Sequence, residues 1–138
     1  SLGPPVIILD TNVLIDYDRY LFDAGEAYAA SILSRAELEF GVQAATSPEQ
    51  IAKRTQRLNQ LDARFDWLPM DKESTRSYGL VAAGAKATGA KVRGKDALIA
   101  AQAHRHGAGV MTLNADDFKP FAHLVTVLAP TPRLGIVD

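Results

Sequence analysis

The chain has 138 residues, enough for one domain with a single substantial core. Hydrophobic residues make up 47%, charged residues 22% and the formal net charge is -1, so the whole-chain balance does not attract nucleic acid and any such binding needs a local basic surface. Cysteine is absent, which excludes disulfides, thiolate metal sites and cysteine nucleophiles.

No apolar run approaches the roughly 20 residues of a membrane span. No basic-then-apolar leader opens the sequence, and a cytoplasmic location is expected, in keeping with the lack of cysteine. The opening Ser1 and the LGPP that follows read as a trimmed end outside the fold.

Val6 to Leu9 is a short apolar run rich in β-branched residues, which predicts a strand buried on both faces. A short helix is expected over Asn12–Tyr17, then a loop around Asp18–Tyr28 and a second strand over Ala29–Leu33. Ser34 to Ala45 reads as a helix with Leu38, Gly41, Val42 and Ala45 on one face. Pro48 suits a first helical turn, and in the helix it opens Ile51, Leu58, Leu61 and Phe65 form one stripe. Lys53, Arg57 and Arg64 fall opposite and read as a solvated face. Asp66–Met70 is expected as an edge strand, because Pro69 argues against a central one.

Asp71 to Ala87 is a further helix, carrying Tyr78, Val81, Ala82 and Ala85 inward, with Gly89 placed to end it. A basic loop, Ala90–Lys95, precedes an almost wholly apolar helix over Asp96–Arg105. Gly107 and Gly109 bracket the turn into a strand at Val110–Leu113. A helical turn at Asp116–Phe121, a last strand at Leu124–Leu128 and a tail beyond Ala129 complete the chain. The alternation is that of an α/β fold with a parallel sheet covered on both faces. One domain is expected, with a core over about 6–128 and tails at 1–5 and 129–138.

Acids mark the junctions of this pattern. Asp10 ends VIILD, Glu37 opens the helix of SRAELEFG, Asp96 opens that of GKDALIAAQA, and Asp116 and Asp117 follow VMTLN. Each has a structural explanation alone: Ser34 with Glu37 matches a capping box, Asp96 suits a helix N-terminus, and Asp117 stands where it can serve a cap. Together they say more. In a parallel sheet all strand C-terminal ends and following helix N-termini share one edge, where open α/β folds bind ligands. Carboxylates gathered there repel one another unless a cation is present, and hard divalent ions take oxygen ligands.

LDTNVLID, AELEFG, KDALIAAQA and TLNADDF, in that order from about Val6 to Leu128, resemble the PIN domain, and more narrowly the VapC-type toxins of bacterial toxin–antitoxin pairs. The resemblance implies a three-layer α/β/α sandwich with a small, mostly parallel central sheet. It implies an endoribonuclease dependent on Mg²⁺ or Mn²⁺, with Asp10, Glu37 and Asp96 as the family's three leading acids. Asp10 and Asp96 correspond to its metal ligands. Asp117, or its neighbour Asp116, stands in for a fourth acid, because Asn114 occupies a position that is acidic in some members. Thr11 and Asn12 match polar positions beside the first acid.

On that reading Glu37 orients or deprotonates water, and in-line hydrolysis leaves a 5′-phosphate and a 3′-hydroxyl. RNA contacts are expected from Lys91, Arg93 and Lys95 beside Asp96, and from Thr11, Asn12, Thr112 and Asn114. Arg35 is expected at the rim. Tyr17, Tyr20 and Phe22 either stack on bases, pack, or touch a partner. The resemblance also implies a VapB-type antitoxin that blocks the acids, and a homodimer. His104, His106 and His123 are not expected to take part.

Two rival folds with an early acid fit poorly. An aspartyl-phosphate phosphatase wants an aspartate where Asn12 stands, and a receiver domain wants a lysine where Pro130 and Thr131 stand. A catalytically silent PIN module that binds RNA or protein is the alternative from another class, and retention of all three leading acids argues against it.

Overall fold

The apolar opening run forms strand β1 (Ile7–Leu9), whose residues are all buried. It leads into helix α1 (Thr11–Ile15), a 3-10 turn at Tyr17–Arg19, and strands β2 (Tyr20–Leu21) and β3 (Tyr28–Ala30). Helices α2 (Ile32–Gln43), α3 (Pro48–Arg64), α4 (Lys72–Ala87) and α5 (Gly94–His106) follow. Strand β4 (Gly109–Met111), a 3-10 segment at Ala115–Phe121, and strands β5 (Val127–Leu128) and β6 (Thr131–Pro132) end the order. This computed structural model describes residues 6–135; the tail expected at 1–5 and the last three residues of the second tail lie outside them.

Among the described residues the main sheet has the order β3-β1-β4-β5, with every pair parallel. Alternation along β1 and β4 sends successive side chains to opposite faces. Ile8 and Val110 join Val81 and Ala85 of α4, the alanines of α5, and Phe118 and Phe121. Ile7, Leu9 and Met111 meet Val13 and Leu14 of α1, and Leu61 and Phe65 at the end of α3. The two cores on either side of one short sheet make the three layers α/β/α. Among the described residues no helix is long and apolar enough to cross a membrane.

Several expected boundaries move, each for a local reason. The second strand ends at Ala30, not Leu33, because Ser31 turns the chain into α2. Ser31 is the N-cap, with its hydroxyl accepting from the Leu33 amide at 3.0 Å. The capping box expected at Ser34 and Glu37 is therefore absent, and Ser34 is a buried residue inside the first turn. No strand forms over residues 66–70: Leu68 makes a single parallel bridge to Ser31, which extends the open edge of β3. The apolar stripe of α3 is shorter than its period implies, since Ile51 is 45% exposed while Leu58 and Leu61 are buried. Strand β5 begins at Val127, so Leu124 to Thr126 lie outside it.

The segment after Ala129, expected as a tail, returns across the molecule. Thr131–Pro132 pairs antiparallel with Tyr20–Leu21, and the Arg133 amide donates to the Arg19 carbonyl at 2.9 Å. Helix α4 ends as its glycine predicts, with Gly89 at a φ of 80° that side chains rarely adopt.

Candidate active site

Asp10 follows β1 directly and caps α1, its Oδ1 accepting from the Thr11 amide at 2.8 Å. Its Oδ2 accepts from the Thr112 hydroxyl at 2.8 Å, and the carboxylate is only 2% exposed. Thr112 follows β4, so the pairing of two adjacent strands brings together residues far apart in sequence. The same Thr112 oxygen accepts from Asn12 Nδ2 at 3.3 Å and from the Asn114 amide at 3.0 Å. Asn12 Oδ1 in turn accepts from the Leu113 amide at 3.2 Å. Thr112 and Asn12, expected at the substrate, are thus committed to holding Asp10 and the loop behind it, and Thr112 is buried.

Glu37 reaches the same place by a different route. It lies more than a turn inside α2 rather than at the helix start. Side chains on a helix tilt toward its N-terminus, and α2 begins at the strand edge. Glu37 therefore projects back toward Asp10. Thr11 Oγ1 donates to Glu37 Oε1 at 2.6 Å and shares a 2.8 Å hydrogen bond with the Ser34 hydroxyl. Ser34 was not singled out by the sequence as a site residue. Its spacing of one turn from Glu37, on the same helical face, is the signal that marks it.

Asp96 sits in the first turn of α5 and is 4% exposed. Burial pushes its pKa up; the charges of Asp10 and Asp117 add to that effect, while Lys95 and Arg93 oppose it. The three acids meet at one atom. Lys95 Nζ lies 4.0 Å from Asp10 Oδ1, 3.5 Å from Glu37 Oε2 and 3.8 Å from Asp96 Oδ1. Burial alone would lower the Lys95 pKa, but the combined attraction of Asp10, Glu37 and Asp96, with a hydrogen bond to Glu37, raises it.

The two candidates for a fourth acid part company. Asp117 is 30% exposed, pairs with Arg93 at 3.6 Å, and acts on Asp96 by its charge. Asp116 is 86% exposed and pairs with Lys119 at 3.0 Å, turned outward from the cluster. Lys91, Arg93 and Asn114 are exposed, on the loops before α5 and after β4, and Arg93 is tied to the cluster through Asp117. Lys95 belongs to α5 itself and points inward to the acids.

Other residues with expected roles lie elsewhere. Arg35 binds both Asp62 oxygens at 2.9 Å and Glu39 at 2.8 Å, so it joins α2 to α3 instead of reaching the rim. Tyr17 stacks on Phe22 at 4.7 Å and meets Phe65 edge-on at 5.9 Å, which makes them core packing. Tyr20 packs against the same core. His104 pairs with the Ser77 hydroxyl at 2.9 Å, roughly 12 Å along the α5 axis from Asp96. The basic side of α3 is not simply solvated: Lys53, Arg54 and Arg57 line a cleft of about 880 Å³ that opens beside Thr11 and Glu37. Arg57 also pairs with Asp18 at 3.1 Å, and Arg64 lies over the Tyr17 ring.

The donor set is all oxygen, which suits a hard divalent ion. Among the described residues no three acidic or imidazole groups stand close enough to hold one ion between them directly. The arrangement instead fits the commoner Mg²⁺ pattern of one or two carboxylates, here Asp10 and Asp96, with water at the other positions.

A PIN-domain family profile matches residues 7–124. The chain is 32% identical over 113 residues to Ribonuclease VapC4 of Mycobacterium tuberculosis, covering 79% of this chain and 86% of that one. It is 32% identical over 122 residues to Ribonuclease VapC5 of the same organism, covering 86% and 89%. Its fold matches, with a TM-score of 0.77 at 29% identity, the crystal structure of VapBC-5, a member of the VapBC family of toxin–antitoxin systems from Mycobacterium tuberculosis. That match covers 93% of this chain and 99% of the other. With a family profile spanning most of the sequence and a fold shared almost end to end with a solved relative, the chain belongs to the PIN-domain family.

Proposed function

We propose that this chain is a VapC-type toxin, an endoribonuclease that hydrolyses RNA phosphodiesters with Mg²⁺ or Mn²⁺. The observation that carries the reading is the convergence of Asp10, Glu37 and Asp96, from three separate elements, within 4.0 Å of a single cationic nitrogen. Two relatives that share about a third of its residues are named ribonucleases.

Asp10 and Asp96 would hold the ion, directly or through water. When bound, the ion supplies a more acidic water and neutralises charge on the phosphoryl group. Thr11 fixes one Glu37 oxygen, which leaves the other to orient the attacking water and take its proton. Asp117 closes the cluster on its open side. Lys91 and Arg93 receive the RNA backbone at the mouth, where phosphate contacts position a strand without reading its sequence. Thr112 and Asn12 keep Asp10 in place. The solved VapBC-5 relative, described as a toxin–antitoxin system, supports a VapB-type antitoxin as partner; a homodimer and a cytoplasmic site of action complete the reading.

The test is cleavage of a pool of structured RNAs with Mg²⁺, Mn²⁺ or EDTA, beside the Asp10→Asn variant. Metal-dependent products with 3′-hydroxyl ends, reduced at least about a hundredfold in the variant, are expected. Cleavage that persists in both EDTA and the variant would falsify the metal mechanism. Metal binding with no cleavage of any RNA favours the silent binding module.

A further inference from the structure

Lys95 stands one residue before Asp96, yet its ammonium turns inward to the space that the three acids enclose. Its contacts are not those of one tight ion pair. They are spread over Asp10, Glu37 and Asp96 at 4.0, 3.5 and 3.8 Å, as a charge that balances a group. Asp10 and Asp96 are almost fully buried, so water screens their repulsion poorly. The Lys95 side chain itself is 41% exposed, which leaves it a path outward. A lysine head is a compact charge on a flexible stem, able to leave without moving the backbone. The neighbouring Arg93 differs: it is 72% exposed, and its ion pair lies at the margin, with Asp117 at 3.6 Å.

We propose that Lys95 is a tethered counter-ion of the carboxylate cluster, which a divalent ion must displace in order to bind. The inference rests on the metal-dependent reading above and adds a built-in competitor to it. Without metal, the ammonium offsets the repulsion among the acids and keeps them assembled. With metal, the same ammonium is set free beside the site, where it joins Arg93 in reach of phosphate. The lysine thus makes the empty cluster tolerable and the metal weaker than the carboxylates alone would hold it.

Calorimetric titration of Mn²⁺ into the wild-type chain, Lys95→Met, Lys95→Gln and Arg93→Met tests this without any RNA. Both Lys95 variants should bind Mn²⁺ about tenfold more tightly than wild type, the scale expected when several half-exposed ion pairs are lost to a competitor. They should also melt at lower temperature in EDTA and recover with Mn²⁺. Arg93→Met, which removes the same charge from the margin, should change affinity by less than about threefold. Lys95 variants that bind Mn²⁺ no tighter than wild type, or an Arg93→Met variant that gains as much, overturn the counter-ion role and leave the metal reading intact. No Mn²⁺ binding by any of the four chains overturns both.

Discussion

Thr11 shows how much a site depends on a side chain that performs no chemistry. Its amide binds Asp10 and its hydroxyl binds Glu37, so one residue sets the spacing of two acids from different elements. Thr11→Val keeps the shape and the amide but removes the hydroxyl. Residues that orient ligands or bases commonly contribute ten- to a hundredfold, so kcat should fall by roughly that factor. Thr11→Ser should recover most of it. A general packing defect would instead be shared by both variants and appear as a lower melting temperature without a kcat difference between them. Asp116 and Asp117 make the complementary point: adjacent and identical in sequence, they point about 120° apart around a 3-10 turn, which only the fold displays.

Helix α2 carries Glu37, and its placement is set by what it touches on α3. Arg35 grips Asp62, and Trp67 Nε1 donates to the same carboxylate at 2.8 Å. The Arg35 hydrogen bond holds the Asp62 pKa below its ordinary 3.8, burial works against it, and the Trp67 bond and the Arg35 charge assist. A carboxylate depressed in the folded state stabilises it fully above the ordinary value and loses that contribution as pH falls through the depressed one. Urea unfolding should therefore show Asp62→Asn weaker than wild type at neutral pH, with the gap closing in acid. A gap that stays constant with pH would remove the ion pair as its cause. The stripe of α3 gives a second check at this scale. Leu61→Ala should cost about 2–5 kcal/mol, as for other buried leucines, and Ile51→Ala less than about 0.5 kcal/mol. Equal losses would mean that the helix seats its first turns as deeply as its last.

Across the whole molecule, what was legible in the sequence was whatever a period of two or of 3.6 expresses. The buried first strand, the helices over 72–87 and 94–106, and the acids at the ends of β1 and the start of α5 all follow from such patterns. Glu37 was legible as a residue but not in its position. Ser31 and Ser34 are equally good caps by type, and only the bridge to Leu68 holds Ser31 extended so that the helix starts there. Ile51 fits the apolar period yet is 45% exposed, because α3 meets the core through Leu61 and Phe65 at its C-terminal end. The inward turn of Lys95 was not legible either. It depends on a through-space balance among three acids, and no spacing encodes it.

The parallel pairing of β1 with β4 has a consequence in time. One of the two sheet neighbours of β1 is made about a hundred positions later, and Thr112, the hydroxyl partner of Asp10, is 102 residues away from it. A ribosome adds roughly 5–20 residues per second. Until Thr112 is made, the nascent chain can pair β1 with β3 but lacks the hydroxyl that seats Asp10, and earlier still it lacks Asp96. The grouping of Asp10, Glu37 and Asp96 is complete only once α5 and β4 have been made, and a chain interrupted before them lacks part of the candidate site.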